Sequence, residues 1–227
     1  MHSFARHGHD KSEGNSAKKS SGLILNGGWS YDLQQWFLDK FLFRGKMHEL
    51  RQRTIHMADL QPGDIVLDVG CGTGTLAIEA QQYVGVAGHV AGIDPGTQQI
   101  ARARSKAARR YLPVDFQIGV IGHLPFPDAS FDVILSTIMM HHLSDRLKRE
   151  GLAEITRVLK PGGRLVVADF KRSETRSQQL QKKSVRFGSV RDLPELIKEA
   201  GFLHLRTDEM EFPQSHADVS FVSARKS

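Results

Sequence analysis

The chain has 227 residues and a mass of 25.3 kDa, a length typical of one domain. Hydrophobic residues make up 40 % and charged residues 25 %, which excludes a collagen, a coiled coil and a wholly disordered chain. The 31 Lys and Arg exceed the 25 Asp and Glu, and the net charge of +6 favours anionic partners without identifying one. No apolar run of about 18 residues occurs, so neither a transmembrane helix nor, at the polar N-terminus, a secretory signal is expected.

Cys71 is the only cysteine, which excludes an intrachain disulfide and argues against a Cys-ligated zinc. We therefore predict no metal site and a cytoplasmic protein, since a reducing compartment suits such a composition. A metal pair formed by His141 and His142 is not expected either, because adjacent side chains diverge and no third ligand is apparent.

The chain begins with two segments that differ in composition from the remainder. Residues 1–22 are rich in Ser, Gly, His and Lys and predict a disordered tail. Residues 23–60 predict an N-terminal helical cap, with apolar residues at helical spacing around Trp36 and around Leu50. Residues 61–227 then form the main domain.

Short strands alternate with longer helices through the main domain. The predicted strands cover residues 65–69, 90–93, 116–121, 133–135, 165–168, 203–206 and 219–224, and the predicted helices cover residues 75–84, 97–110, 145–159 and 191–200. This alternation predicts βαβ units with a parallel sheet, and the continuously apolar strands predict helices on both faces. The sequence Pro161-Gly162-Gly163 is expected to end the helix before it.

A glycine-rich turn follows the first predicted strand. Gly70, Gly72 and Gly74 permit close approach of a ligand to the backbone, and the following helix offers free N–H groups at its start. The carboxyl ends of parallel strands are where such sheets bind ligands. The turn therefore predicts a binding site for a nucleotide-like ligand.

Two acidic residues narrow the choice of ligand. The dinucleotide fingerprint would require a third glycine where this chain has Thr75, which disfavours an NAD-dependent oxidoreductase. Asp68, in the strand end, would repel a pyrophosphate but could bind an ammonium group. Asp94 lies 20 residues after Gly74, at the position of a carboxylate that accepts two ribose hydroxyls, and it disfavours a 2′-phosphate.

Four sequence blocks in this order resemble the class I S-adenosylmethionine-dependent methyltransferases. They are VLDVGCGTGTLA (66–77), GID (92–94), LPFPDASFDVI (124–134) and ITRVLKPGGRLVVADF (155–170). The resemblance implies a Rossmann-like three-layer α/β sandwich with a seven-stranded, mostly parallel sheet, an antiparallel C-terminal hairpin and an N-terminal helical lid. Within the family the chain looks most similar to the ubiquinone and menaquinone biosynthesis group.

The resemblance also implies a function. Residues 61–227 would be a methyltransferase domain that uses S-adenosylmethionine, yields S-adenosylhomocysteine and methylates a small-molecule or lipid-like acceptor. A quinone precursor, a phospholipid amine and a specialised metabolite remain open as acceptors. The alternative is a basic membrane- or nucleic-acid-associated binding protein that keeps the fold without turnover.

Cofactor positions are carried over from the family's motifs. Asp68 and the turn glycines Gly70, Gly72 and Gly74 would line the methionine moiety, and Asp94 would hold the ribose diol. Pro95, Val120 and Ile121 would flank the adenine, although many relatives carry an acid where this chain has Val120. Ser136 would face the sulfonium end of the pocket. Tyr31 would reach over the cofactor carboxylate from the lid, or be a plain surface aromatic.

Three residues after the fourth and fifth strands are candidates for catalysis. His141 or His142 would take a proton from the acceptor, and Asp169 would orient it. The alternative for each is a structural role at a loop or helix start. Cys71 is interpreted as a small packing residue rather than a nucleophile, because no base is near it in sequence.

Two basic segments remain. Residues 171–191 hold seven Lys and Arg against one Glu. This charge predicts either a substrate-covering segment (171–190) that faces an anionic substrate or makes peripheral contact with an anionic membrane, or a solvated loop. The run Arg102, Arg104, Lys106, Arg109 and Arg110 predicts a solvated helix face. Family members that methylate the amino groups of DNA bases carry an Asn/Asp-Pro-Pro-aromatic block after the fourth strand, where this chain has STIMMHH (136–142). The resemblance therefore disfavours methylation of DNA bases, and no nucleic-acid partner is expected.

Overall fold

The computed structural model describes residues 45–171, 193–211 and 218–227. The helices in these ranges are α1 (Lys46–Ala58), α2 (Thr75–Val84), α3 (Thr97–Arg109), α4 (Asp145–Val158) and α5 (Leu193–Glu199). The strands are β1 (Ile65–Val69), β2 (His89–Asp94), β3 (Val114–Ile118), β4 (Phe131–Thr137), β5 (Leu159–Lys171), β6 (Phe202–Met210) and β7 (Asp218–Lys226). The predicted tail, most of the helical cap and residues 172–191 of the basic segment lie outside the described residues.

The seven strands form one sheet in the order β3-β2-β1-β4-β5-β7-β6. Strands β1 to β5 run parallel, and β7 is antiparallel to both β5 and β6. The predicted parallel sheet with its antiparallel C-terminal hairpin is confirmed. The strand order reverses between β1 and β4, so a crevice for a ligand opens where these two strands end.

Apolar side chains on both faces of the sheet hold the helices. Leu67 and Ile134 belong to one buried cluster, and their neighbours Val66 and Val133 belong to another on the opposite face. Strands buried on both faces lack polar alternation, which accounts for their continuous apolar sequence. Helix α1 adds a third cluster, in which Leu50 joins side chains of β5, β6 and β7.

Several observed elements differ from the predicted bounds, and two of the differences have a clear physical reason. Strand β3 ends at Ile118 rather than residue 121, because its partner β2 ends at Asp94, which pairs with Ile118. Helix α4 ends at Val158, and the Pro161-Gly162-Gly163 sequence lies inside β5, with Gly162 at a φ of 73°. The backbone of residue 158 already accepts a hydrogen bond from Ser130, at the start of β4, so the chain turns into the sheet before the proline.

Arg157 at the end of α4 fixes the segment between β3 and β4. Its guanidinium donates to the carbonyl oxygens of Leu124 and Phe126 at 3.0 and 2.8 Å, and to the carboxylates of Asp128 and Glu154 at 2.8 Å. Glu154 in turn accepts the Leu124 backbone N–H at 2.8 Å. These bonds clamp the segment that leads from the end of β3 to the start of β4 against helix α4.

This clamp predicts a pH-dependent contribution to stability. The hydrogen bonds from Arg157 lower the pKa of Glu154 from 4.5 to about 2. A depressed folded-state pKa stabilises the protein above the unfolded pKa, and the contribution is lost as the pH falls through the folded pKa. Because Arg157 is 31 % exposed, solvent screening limits the effect, and Glu154→Gln should lower the free energy of unfolding by about 1 kcal/mol at pH 7. Urea titrations at pH 7 and 3 measure this difference, which should shrink at the lower pH; a constant difference would contradict the clamp.

Candidate functional site

The turn between β1 and α2 is built on three glycines in the left-handed region. Gly70, Gly72 and Gly74 have φ values of 78°, 53° and 75°. The backbone N–H groups of Gly70 and Cys71 both donate to the carbonyl oxygen of Ile93, at 2.9 Å. The turn is therefore held against the end of β2.

Each glycine meets a different surrounding. A Cβ atom at Gly70 would lie 2.5 Å from Cγ of Met139, and one at Gly74 would lie 2.4 Å from the ring of Phe116. At Gly72 no described atom lies within 4 Å of that position. Gly70 and Gly74 thus permit close packing within the protein, whereas Gly72 presents bare backbone to open space.

Asp94 connects the two loops that follow β1 and β2. One carboxylate oxygen accepts the Gly72 N–H at 3.0 Å, and the other accepts the Gly96 N–H at 2.8 Å. Burial raises the pKa of Asp94, and these two N–H groups partly oppose that rise. A carboxylate accepts about four hydrogen bonds, so Asp94 keeps acceptor capacity for a ligand's hydroxyl groups.

Asp68 is buried at the end of β1, and its charge is poorly compensated by the residues around it. Its side chain is 1 % exposed, and neither carboxyl oxygen has a hydrogen-bond partner in the described part of the chain. Burial raises the pKa of Asp68 to about 7, the nearby backbone N–H of Ala77 lowers it, and the charge of Asp94 raises it further. An unpartnered buried carboxyl is costly, and a cationic group placed beside it would relieve that cost.

The other predicted cofactor residues have mixed surroundings. Pro95 is half-buried directly after Asp94, and Val120 is 40 % exposed. The Ile121 side chain is 6 % exposed and packs in the core against Gly151 of α4, so it is not available to line a ligand. Ser136 is buried, with no partner for its hydroxyl within residues 45–171, 193–211 and 218–227. Tyr31 lies outside the described residues.

The structure joins two of the predicted catalytic residues into a pair. Asp169 of β5 is 1 % exposed, and one of its oxygens lies 2.6 Å from Nδ1 of His141. Its other oxygen accepts the backbone N–H of His141 at 3.0 Å. The ring of Phe170 lies edge-on to the His141 ring, with centroids 5.2 Å apart. The carboxylate therefore fixes both the backbone and the ring of His141.

His142 is more accessible than His141. Its ring centroid lies 3.9 Å from that of His141, at an angle of 47°. Burial lowers the pKa of His142, the charge of His141 lowers it too, and Asp169 opposes them. A lowered pKa favours the neutral imidazole of His142, which is the state that a proton acceptor needs. The sequence placed these residues near one edge, but their pairing emerges only from the fold.

Cys71 is 9 % exposed, and burial raises the pKa of its thiol well above the ordinary value, with Asp68 and Asp94 adding to the effect. A protonated, buried thiol agrees with the packing interpretation.

No cluster of three or more His, Cys, Asp or Glu that could hold a metal occurs among the described residues. Within those same ranges no helix is long and apolar enough to cross a membrane.

The prediction of a solvated face for the basic run on α3 was wrong at Lys106, which is half-buried, whereas Arg104 is exposed as predicted but also bonds to β3. Lys106 donates to the hydroxyl oxygens of Thr73 and Thr75, at 2.8 and 3.0 Å. Arg104 donates twice to the carbonyl oxygen of Phe116. The sequence carried one sign of these contacts. Arg104 and Lys106 lie directly beside the buried positions Ala103 and Ala107, and a long side chain beside a buried helix face can extend over neighbouring elements.

The fold and the site define a doubly wound α/β domain with its ligand-binding edge at the ends of β1 and β4. Residues 66–163 match the family model "Methyltransferase domain", and residues 117–221 match the model "Anamorsin, N-terminal". The chain carries a class I S-adenosylmethionine-dependent methyltransferase domain, as its sequence blocks predicted, and S-adenosylmethionine is the cofactor of that family.

Named relatives agree with this assignment. An arsenite methyltransferase of Halobacterium salinarum is 33 % identical over 174 residues, which cover 73 % of this chain and 43 % of that protein. The ubiquinone/menaquinone biosynthesis C-methyltransferase UbiE of Marinomonas sp. is 36 % identical over 137 residues, with coverage of 59 % and 54 %. This chain spans about half the length of the curated relatives that it matches.

Solved structures share the fold. The crystal structure of a SAM-dependent methyltransferase from Aquifex aeolicus superimposes with a TM-score of 0.63. Its sequence is 24 % identical, and the match covers 78 % of this chain and 89 % of that one.

The packing of Gly74 makes a prediction about stability. Gly74→Ala would place a Cβ atom in the Phe116 ring at a positive φ, so the free energy of unfolding should fall by about 2–4 kcal/mol. Gly201→Ala is the matched control: its φ is 89° and no described atom lies within 4 Å of its Cβ position, so the loss should be about 1 kcal/mol. Denaturant unfolding measures both, and equal losses would show that the Phe116 contact is unimportant.

Proposed function

We propose that this protein transfers a methyl group from S-adenosylmethionine to a small-molecule acceptor. The observation that carries the proposal is the buried, unpartnered carboxyl of Asp68 beside the half-satisfied carboxylate of Asp94. A cationic group beside Asp68 would compensate its buried carboxyl, and the free lone pairs of Asp94 could accept hydrogen bonds from hydroxyl groups. S-adenosylmethionine carries an ammonium group and a ribose diol, so both needs would be met by one ligand.

Each part of the edge has a role in this scheme. Asp94 would accept the ribose hydroxyls, and the open backbone face of Gly72 would lie along the methionine moiety. Asp68 would hold the ammonium through an ordered water, since its side chain is 1 % exposed. Pro95, Val120 and the Ile121 backbone would flank the adenine, with Ser136 at the sulfonium end and Tyr31 over the carboxylate. Gly74 acts by packing α2 closely behind the turn.

The cofactor supplies a methyl group that the positive sulfonium has already activated. The protein's own contribution is therefore to orient the acceptor, exclude water and remove a proton. We assign the proton transfer to His142, because it is half-buried and its pKa is lowered. His141 and Asp169 are positioning residues that hold the short segment on which His142 lies.

A quinone precursor is the acceptor class that we favour. A relative that is 36 % identical is named as a ubiquinone/menaquinone biosynthesis C-methyltransferase. The family's substrate-covering position corresponds to residues 171–190, whose basic composition would suit contact with an anionic membrane from the cytoplasmic side. In this scheme residues 61–227 are the methyltransferase domain, and residues 23–60 are its cap.

Removal of the Asp94 carboxylate tests the cofactor site. Asp94→Ala should weaken the binding of S-adenosylhomocysteine by about 2–3 kcal/mol, because charge-assisted hydrogen bonds to the ribose are lost. Calorimetric titration measures the affinity. The exposed Asp115 of β3 gives a control of equal charge, and Asp115→Ala should bind as the wild type does. Unchanged affinity of Asp94→Ala would remove the ribose assignment.

The acceptor and the proton transfer are tested together. Wild-type protein should move the labelled methyl of S-adenosylmethionine to a reduced, short-chain demethylmenaquinone, and His142→Gln should be slower by about 10²-fold at unchanged S-adenosylhomocysteine affinity. The exposed His89 provides the control variant His89→Gln, with wild-type turnover expected. Equal turnover of His142→Gln would assign the proton transfer elsewhere. No transfer to this quinol by a wild type that binds S-adenosylhomocysteine would overturn the acceptor class alone.

A further inference from the structure

We propose that Lys106 is a positioning residue that orders the glycine-rich turn (residues 70–74) for cofactor binding. This inference rests on the proposed function, because it assigns a residue outside the sequence motifs to the same site. Lys106 lies in the tenth position of α3, which begins at Thr97, and reaches across to a different loop.

The contact is specific in its geometry. The Lys106 ammonium donates to the hydroxyl oxygen of Thr73 at 2.8 Å and to that of Thr75 at 3.0 Å. Thr73 lies inside the turn, and Thr75 is the first residue of α2. All three side chains are half-buried, so the bonds are sheltered from full competition by water. One cation therefore bridges the turn and the helix that follows it.

Lys106 acts on the same backbone that Asp94 holds. Gly72, next to Thr73, donates its N–H to Asp94, and Asp94 also accepts the N–H of Gly96 immediately before α3. The turn is thus tied to the α3 segment at two points, one through Asp94 and one through Lys106. Gly72 is also the residue with the open face, and glycine has the largest freedom to lose when it is ordered. A second tie reduces the entropy that a ligand must otherwise supply on binding.

A lysine suits this place for an electrostatic reason as well. Asp68 and Asp94 put two carboxyls near the turn, and both raise the pKa of Cys71 in addition to the effect of burial. The charge of Lys106 opposes them at the same thiol. The ammonium thus lies close enough to offset part of the negative charge in this region before a cofactor is present.

A purely structural tether is the competing explanation, and α3 contains a clean example of one. Arg104 donates from two nitrogens to the Phe116 carbonyl oxygen, at 2.9 and 2.7 Å, and makes no hydrogen bond to the turn among the described residues. If Lys106 only ties α3 to its neighbours, loss of either side chain should affect stability alone. If Lys106 orders the turn, only its loss should change cofactor affinity.

The experiment compares Lys106→Met with Arg104→Met in the full chain. S-adenosylhomocysteine is titrated by calorimetry, and hydrogen exchange of the amides of residues 72–75 is followed without cofactor. Lys106→Met should bind about tenfold more weakly, because two charge-assisted hydrogen bonds are lost, and its turn amides should exchange faster. Lys106→Arg should recover most of the affinity, whereas Arg104→Met should keep wild-type affinity and turn exchange.

A further variant guards against misfolding of Lys106→Met. Thr73→Val removes one acceptor while leaving the lysine in place, and it should weaken binding in the same direction. Wild-type affinity and wild-type turn exchange in both Lys106→Met and Thr73→Val would overturn the proposal. If the wild type itself does not bind S-adenosylhomocysteine, the proposed function fails, and the role assigned to Lys106 in cofactor binding fails with it.

Discussion

The carboxylate of Asp94 is the contact on which the ligand-binding edge depends. It accepts backbone N–H groups from both Gly72 and Gly96, so one side chain fixes the loops after β1 and β2 relative to each other. Parallel strands bring these loops to one edge, and the reversal of strand order beside β1 leaves room there for a ligand. Without this bridge the turn would keep its bonds to the Ile93 carbonyl and to Lys106, but the Gly72 N–H would lose its partner and the open face of Gly72 its fixed position.

The same edge contains groups that the protein alone does not satisfy. Asp68 and the Ser136 hydroxyl are buried without hydrogen-bond partners in the described ranges, while the core around them is closely packed. Such groups reduce the stability of the folded state unless a ligand compensates them. Across the crevice, both carboxylate oxygens of Asp169 contact His141, whereas the neighbouring His142 stays partly accessible. One side of the crevice is thus suited to hold a cationic nucleoside, and the other to handle a proton.

Much of this arrangement could be predicted from the sequence, for identifiable reasons. The strand β1 and the helix α2 were predicted at their observed bounds, because Pro62-Gly63 and the glycine turn mark them. The positions of Asp68 and Asp94 at the ligand-binding edge were predicted because both residues are at fixed distances in sequence from that turn. The His141–Asp169 pair was not predicted, because it depends on the register between two strands distant in sequence. Lys106 was misjudged because a basic residue on a helix gives no sign of the loop that its side chain reaches.

The most direct test of the account is a calorimetric titration of the full chain with S-adenosylhomocysteine, with NAD titrated in parallel. We expect micromolar binding of S-adenosylhomocysteine and none of NAD, since the site offers carboxyls where a pyrophosphate would need N–H groups. Binding of NAD alone would contradict the assignment of Asp68 to a cationic group. Binding of neither ligand would contradict the claim that this edge is a working cofactor site, and would favour a binding protein that retains the fold.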